Sequence, residues 1–243
     1  MRKLFYIVWR SWFYFVTATS LLVFSPIFLV TLIKQSWYAT FFYFARIWAL
    51  VILCFSGFIP ILDKGCFKDK GQSFLFVANH TSMIDVMLML YSVKNPFVFV
   101  GKKELVKMPV FGFFYRKTCI LVDRSDIESR KAVFQQAQDK IKQGFSICIF
   151  PEGSVTYEDT LLAPFKSGAF RIAIEHQLPI VPLVFPDNKK RFSYTFFSGR
   201  PGIVRSIILD TVLVENFSSE DKGVLTKQVR QKIYNKLVTE NAI

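Results

Sequence analysis

The chain has 243 residues, 31 Lys and Arg against 18 Asp and Glu, a formal charge of +13, 52% hydrophobic residues and 28 Phe. A chain this apolar is not disordered, and a basic protein this rich in Phe is not an ordinary nucleic-acid binder, which keeps its surplus charge on a polar face. Four cysteines exclude a disulfide scaffold, and Cys54, Cys66, Cys119 and Cys148 show no CxxC spacing. Cys119 and Cys148 lie in apolar runs and read as reduced core thiols, which favours a cytosolic face.

The charge is unevenly placed. Residues 1–62 hold Arg2, Lys3, Arg10, Lys34 and Arg46 and no acid; the first carboxylate is Asp63. Residues 11–33 form an uncharged run of 23, long enough to span a bilayer, with Pro26 predicting a kink. A second apolar stretch, residues 37–62, is broken by Arg46, Gly57 and Pro60, and its uncharged part after Arg46 is a short 16 residues. Arg10 and Arg46, near Trp9, Trp12, Tyr43 and Trp48, match the headgroup level. No small-residue cleavage site follows, which argues against a signal peptide. Two full spans, a hairpin entering one leaflet and a buried soluble hairpin remain, and the broken second segment favours the leaflet hairpin. Arg2, Lys3 and Lys64 then lie on the side of the globular zone and make that side cytoplasmic. The expected division is a membrane-anchoring helical hairpin over 1–64 and a catalytic domain over 65–243.

The second zone alternates short apolar runs with helical patterns. Strands are expected at 74–78 (FLFVA), 97–100, 119–122, 145–150 and 180–184, and helices at 83–91, 126–143 and 168–176. Residues 192–197 and 204–214 look suited to antiparallel pairing. A basic helix over 218–239 ends the chain, with Ser218 and Asp221 at capping-box spacing. The pattern predicts an α/β fold, a mostly parallel sheet flanked by helices. Sites in such sheets form where the loops leave the carboxyl ends of strands. Three polar clusters stand there: Asn79-His80-Thr81-Ser82, Asp123-Arg124 and Pro151-Glu152-Gly153-Ser154.

His80 follows a buried strand, with Asp85 five residues on. A neutral imidazole takes a hydroxyl proton, and a carboxylate on its other nitrogen fixes the tautomer. The competing reading is structural: Ser82 caps the next helix, Asp85 is the capping-box acid and His80 is merely packed. His176 reads as a helix-end residue. No nucleophile elbow accompanies His80, so no covalent intermediate is suggested, and two histidines without a Cys pair give no metal cluster. Lys102, Lys103 and Glu104 follow one strand, Arg124 another, and Lys166 and Arg171 flank Gly168. These cations converge on an anionic substrate or touch anionic lipid.

Four ordered blocks resemble the glycerolipid acyltransferase family, most closely the 1-acyl-glycerol-3-phosphate acyltransferases. They are residues 79–85 (NHTSMID), matching a His-x4-Asp motif; Lys102-Lys103-Glu104-Leu105 with Pro109, Phe111, Gly112 and Val122-Asp123-Arg124; residues 150–154 (FPEGS); and residues 179–182 (PIVP), after 165–170 (FKSGAF). The resemblance spans about residues 74–185 and implies a membrane-bound O-acyltransferase with a glycerol-3-phosphate acyltransferase-like fold. It implies that His80 is the general base, that Asp85 holds it, and that acyl-CoA or acyl carrier protein donates the acyl group without a further cofactor. Asn79, Ser82, Lys102, Lys103, Glu104, Arg124, Glu152, Gly153, Ser154 and Lys166 would then position the lysophosphatidate acceptor, drawn from an anionic leaflet of the cytoplasmic membrane. The pattern has departures: Val155 stands where the family has Arg, Ser154 where it has Thr, and Thr118 where it has Gly. A different lyso-acceptor (a lyso-aminolipid or an N-acyl amino acid) is therefore the alternative, and a non-catalytic lipid-binding membrane protein is the alternative of another class.

Overall fold

The computed structural model describes residues 2–65, 67, 71–123, 125–155 and 159–240, with only the backbone of Arg130. Cys66 and Arg124 lie outside the described residues. Two apolar helices open the chain, α1 (Arg2–Thr31) and α2 (Tyr38–Phe55). Both are long and apolar enough to cross a membrane. Pro26 lies inside α1. After α2 the chain turns at Gly57, held at φ 85° with its would-be Cβ 2.9 Å from the Pro201 ring, and enters β1 (Phe58–Asp63).

The sheet then builds through β2 (Leu75–Ala78), β3 (Phe97–Lys102), β4 (Cys119–Val122), β5 (Ser146–Ile149), β6 (Ile180–Val184) and β7 (Gly202–Ile208). Its seven strands run in the order β1-β7-β6-β2-β5-β3-β4. Five neighbouring pairs are parallel and only β6–β7 is antiparallel, so β1 and β7 run against the other five. Strands β2 and β6 are buried along their whole length, as a sheet covered on both faces requires. The covering helices are α3 (Ile84–Ser92), α4 (Phe111–Thr118), α5 (Ile127–Lys142), α6 (Gly168–Glu175), the short α7 (Asn188–Arg191) and α8 (Lys222–Thr239). Asp126 caps α5 through the Glu128 amide, and the Ser218–Asp221 capping box forms as its spacing predicted.

Strand β1 belongs to the sheet, and one hydrophobic cluster runs from α1 and α2 into the strands. Two expectations change. Residues 192–197 form an irregular loop, because their carbonyls are engaged elsewhere. Arg10 is 2% exposed, and its Nη2 donates to the carbonyls of Ser193, Thr195 and Ser198 at 2.8, 2.7 and 3.1 Å. Its guanidinium also lies 4.6 Å from the Phe192 ring centroid. Arg46 likewise turns inward, bonding the Leu90 and Tyr91 carbonyls at the end of α3. Both arginines clamp α1 and α2 to the domain, in place of the headgroup position expected of them. Replacing Arg10 by Met keeps the apolar stem but removes the three hydrogen bonds to the Ser193, Thr195 and Ser198 carbonyls. The expected loss of stability is about 2 kcal/mol or more, measured by thermal unfolding in detergent, with proteolysis entering first at residues 192–199.

Candidate active site

The parallel strands present their carboxyl ends together, and the loops after β2, β5 and β6 meet there. The β2 loop supplies His80. Its Nδ1 lies 2.9 Å from Asp85 Oδ2, and its ring stacks on Phe150 at 4.3 Å between centroids. Asp85, in the first turn of α3, is 0% exposed. Its Oδ2 also accepts the Thr81 and Ser82 amides at 2.6 and 2.8 Å, and its Oδ1 accepts Asn188 Nδ2 at 2.7 Å. A carboxylate surrounded by donors takes a proton donor from the imidazole as well, so Nδ1 carries the hydrogen and the lone pair sits on Nε2. One oxygen of Asp85 thus serves the loop amides and the histidine together, so holding the loop and holding the imidazole do not compete.

The other expected site residues fall into groups. Asn79 is buried and pairs with Phe185 through both its amide nitrogen and its oxygen, tying the end of β2 to the end of β6. Ser82 is buried and donates to the Phe192 carbonyl. Glu152 is buried too; its oxygens accept the amides of His80 at 2.6 Å and Ala163 at 2.8 Å. All three were expected at the acceptor; each is enclosed and pairs with backbone groups of the neighbouring loops. Lys102, Gly153 and Ser154 line a cavity that also includes His80 and Val155. Lys166 lies across Gly153: a Cβ on that glycine would stand 2.9 Å from Nζ. Lys103 and Glu104 are exposed in a 3-10 turn and are not among the cavity-lining residues. Arg124 falls outside the described residues.

The cavity measures about 330 Å³ and runs from His80 beneath the N-terminal helices. Its deep walls are apolar: Leu21 and Phe28 of α1, Phe41 and Ala45 of α2, Phe97 and Phe99 of β3, and Phe114 of α4. Tyr38 and Cys119 line it as well; the Tyr38 hydroxyl donates to the Phe97 carbonyl at 2.9 Å, and burial pushes the Cys119 thiol up to about 12. Tyr194 also lines it, with its phenol pushed up to about 12, first by burial and then by the Asp85 charge. Among the described residues no group of three or more His, Cys, Asp and Glu is placed to hold a metal ion.

Asn188 and Tyr194 escaped the sequence reading, and Phe150 entered it only as the end of an apolar run and the first residue of a motif block. Asn188 follows β6 in a Pro-Asp-Asn run that marks a turn, but its partner lies 103 residues away. The adjacent Asp187 grips Arg205 of β7 through both oxygens, raising the Arg205 guanidinium above its ordinary value. Asn188→Leu keeps the volume and removes the donor, stranding Asp85 Oδ1. It should cost about 1–3 kcal/mol, read by thermal unfolding, and Asn188→Asp should cost more by facing two carboxylates.

An acyltransferase family model matches residues 66–186. The 1-acyl-sn-glycerol-3-phosphate acyltransferase of Cocos nucifera is 37% identical over 166 residues, covering 66% of this chain and 52% of that protein. A probable 1-acyl-sn-glycerol-3-phosphate acyltransferase of Mycoplasma pneumoniae is 28% identical over 174 residues, covering 67% and 65%. The chain thus aligns with about half to two thirds of the length of these relatives. The crystal structure of a 1-acyl-sn-glycerophosphate acyltransferase from Thermotoga maritima superposes with a TM-score of 0.84 over 100% of this chain and 99% of its own, at 22% identity, which establishes a shared fold. With the His80–Asp85 pair at the strand ends and the four motif blocks in order, the chain belongs to the acyltransferase family.

Proposed function

We propose that this protein is a membrane-bound O-acyltransferase that moves a fatty acyl group from a thioester to the free hydroxyl of lysophosphatidate, giving phosphatidate. The observation that carries this reading is the junction of a buried His–Asp pair with an apolar cavity. The histidine suits proton abstraction from a hydroxyl, and the cavity suits a hydrocarbon chain.

In this scheme the acceptor hydroxyl gives its proton to His80 Nε2 as its oxygen attacks the thioester carbonyl. Asp85 steadies the imidazolium that forms. The carbon–sulfur bond then breaks, and the leaving thiolate takes the proton from His80. The acyl chain lies beneath α1 and α2, and the donor, acyl-CoA or acyl carrier protein, stays outside. Lys102 and Lys166 flank the mouth and supply positive charge for the acceptor phosphate. The exposed apolar faces of α1 and α2 support anchoring in the cytoplasmic membrane, with the strand ends facing the cytoplasm. Val155 on the cavity wall supports a second reading, in which the acceptor is a lyso-aminolipid.

Purified protein given an acyl thioester and lysophosphatidate should release free thiol; release only with a lyso-aminolipid would favour the second reading, and none with any acceptor would sink both. His80→Ala should lower turnover by about 10^3-fold or more without unfolding the protein. Gly101→Ala would place a Cβ 1.8 Å from the Tyr115 hydroxyl and push that ring. Tyr115 lines the cavity, so the longest acyl donors should lose the most rate, a shift read from a chain-length series.

A further inference from the structure

The segment from Lys103 to Lys117 has two apolar faces. Inward, Leu105, Phe111, Phe114 and Tyr115 line the cavity. Outward, Met108, Val110 and Phe113 are exposed at 49%, 45% and 49%. Around them Lys103, Lys107, Arg116 and Lys117 are exposed, and Glu104 is the one acid in the segment.

The tip is held in a costly shape. Val110 has φ 60° and ψ −59°, and the Phe111 amide donates to the Pro109 carbonyl at 2.6 Å. This is the γ-turn of positive φ, rare and strained for any residue and least suited to a β-branched one. The neighbouring packing enforces it. The Gly112 amide bonds the Met108 carbonyl at 2.8 Å, and a Cβ on Gly112 would meet the Val106 carbonyl at 2.0 Å. Glycine at position 110 would take this backbone without strain, and a polar residue would suit water. Valine satisfies neither demand, yet it stands at the point of a rigid turn beside two other exposed apolar side chains. Such a patch marks a surface that leaves water in use.

We infer that this tip inserts Met108, Val110 and Phe113 into an anionic lipid leaflet, with Lys103, Lys107, Arg116 and Lys117 at phosphate level, and so seats the cavity mouth on the bilayer. Charge complementarity selects this partner: four cations set behind an apolar point match acyl chains below anionic headgroups. Position supports it. Phe114 packs on Phe28 of α1 at 5.7 Å, and the α1 residues that follow, Leu29 and Val30, are exposed, as is Ile33 beyond the helix end. The tip therefore neighbours the exposed end of the first apolar helix. The inference rests on the acyl-transfer reading only for its consequence, that an acyl chain enters the cavity without crossing water.

The test uses the full chain with Cys54→Ser, Cys66→Ser and Val110→Cys, the new thiol carrying an environment-sensitive fluorophore. Cys119 and Cys148 remain, their thiols raised by burial. A control carries the label at Lys227→Cys, exposed on α8. Vesicles are phosphatidylcholine with and without phosphatidylglycerol. Label 110 should shift to the blue, gain quenching by doxyl-labelled lipid and lose access to iodide on anionic vesicles, while the control stays in water. Equal iodide access at both positions on anionic vesicles overturns the inference, and so does shielding of position 110 only when an acidic carrier protein is added. A second measurement uses Val110→Asp and Phe113→Asp. Turnover of a vesicle-borne acceptor should fall about tenfold, the ratio expected when one apolar side chain no longer enters the leaflet, while turnover of a dispersed short-chain acceptor is retained. Equal loss on both acceptors overturns it. Val110→Gly should raise thermal stability yet lose the vesicle preference, which separates strain from insertion. Absence of turnover in the unaltered protein on either acceptor counts against the acyl-transfer reading alone and leaves the depth measurement standing.

Discussion

A carboxylate with no exposed surface survives in a protein only when donors replace its water. Asp85 is that group here, and four donors reach it: the Thr81 and Ser82 amides, His80 Nδ1 and Asn188 Nδ2. Each donor fixes something else. The two amides shape the loop after β2, the imidazole becomes oriented with its lone pair on Nε2, and Asn188 draws the loop after β6 to the start of α3. Removing this one side chain would therefore release a loop, an imidazole and an inter-loop contact together.

Glu152 repeats the device on the other side of His80. Its two oxygens hold the His80 amide and the Ala163 amide, so the loop after β5 is locked to the loop after β2. Asn79 adds a third tie, from β2 to the residue after β6. Three strand ends are thus joined by buried side chains that pair with backbone groups or with one another, with Asn188 Oδ1 left unpaired among the described residues. The resulting platform is stiff, and the soft part of the site is the apolar cavity beneath α1 and α2. That division suits a reaction in which proton transfer needs fixed geometry while a hydrocarbon chain needs only volume.

The alternation of apolar runs revealed the parallel sheet, and two of the polar clusters after strands, at 79–82 and 151–154, marked the sheet edge where His80 meets the cavity. Both signals are local: a buried strand is a short apolar run, and a site loop follows it in sequence. The contacts that complete the site are not local. Asn188 looks like an ordinary turn residue until the sheet order places it against Asp85. Arg10 looks like a headgroup cation until the fold brings the carbonyls of residues 193–198 beneath it. Strand β1 was hidden for a different reason, since its apolar residues continue the composition of α2 and only Gly57 marks the boundary. Residues 192–197 show the reverse error: their aromatic pattern suits a strand, but Arg10 and Ser82 occupy the carbonyls a neighbouring strand would need.

The cation at the cavity mouth follows from backbone conformation. Gly153 has φ 80°, and a Cβ there would meet Lys166 at Cε, Nζ and Cδ within 3.1 Å. Glycine therefore does two things: it permits the turn after β5, and it leaves a trough in which the Lys166 stem can lie. The ammonium is thereby brought beside Gly153, next in sequence to Ser154 and Val155, the positions where the family resemblance leads one to look for Thr and a guanidinium. The exchange is not neutral. A guanidinium grips a phosphate through two fixed hydrogen bonds, whereas an ammonium on a flexible stem acts as a point charge. Recognition by Lys166 would then be tolerant of headgroup shape and sensitive to salt. Under the proposed acyl transfer, the acceptor range would be set less by the geometry of the phosphate than by the apolar wall that Val155 adds to the cavity.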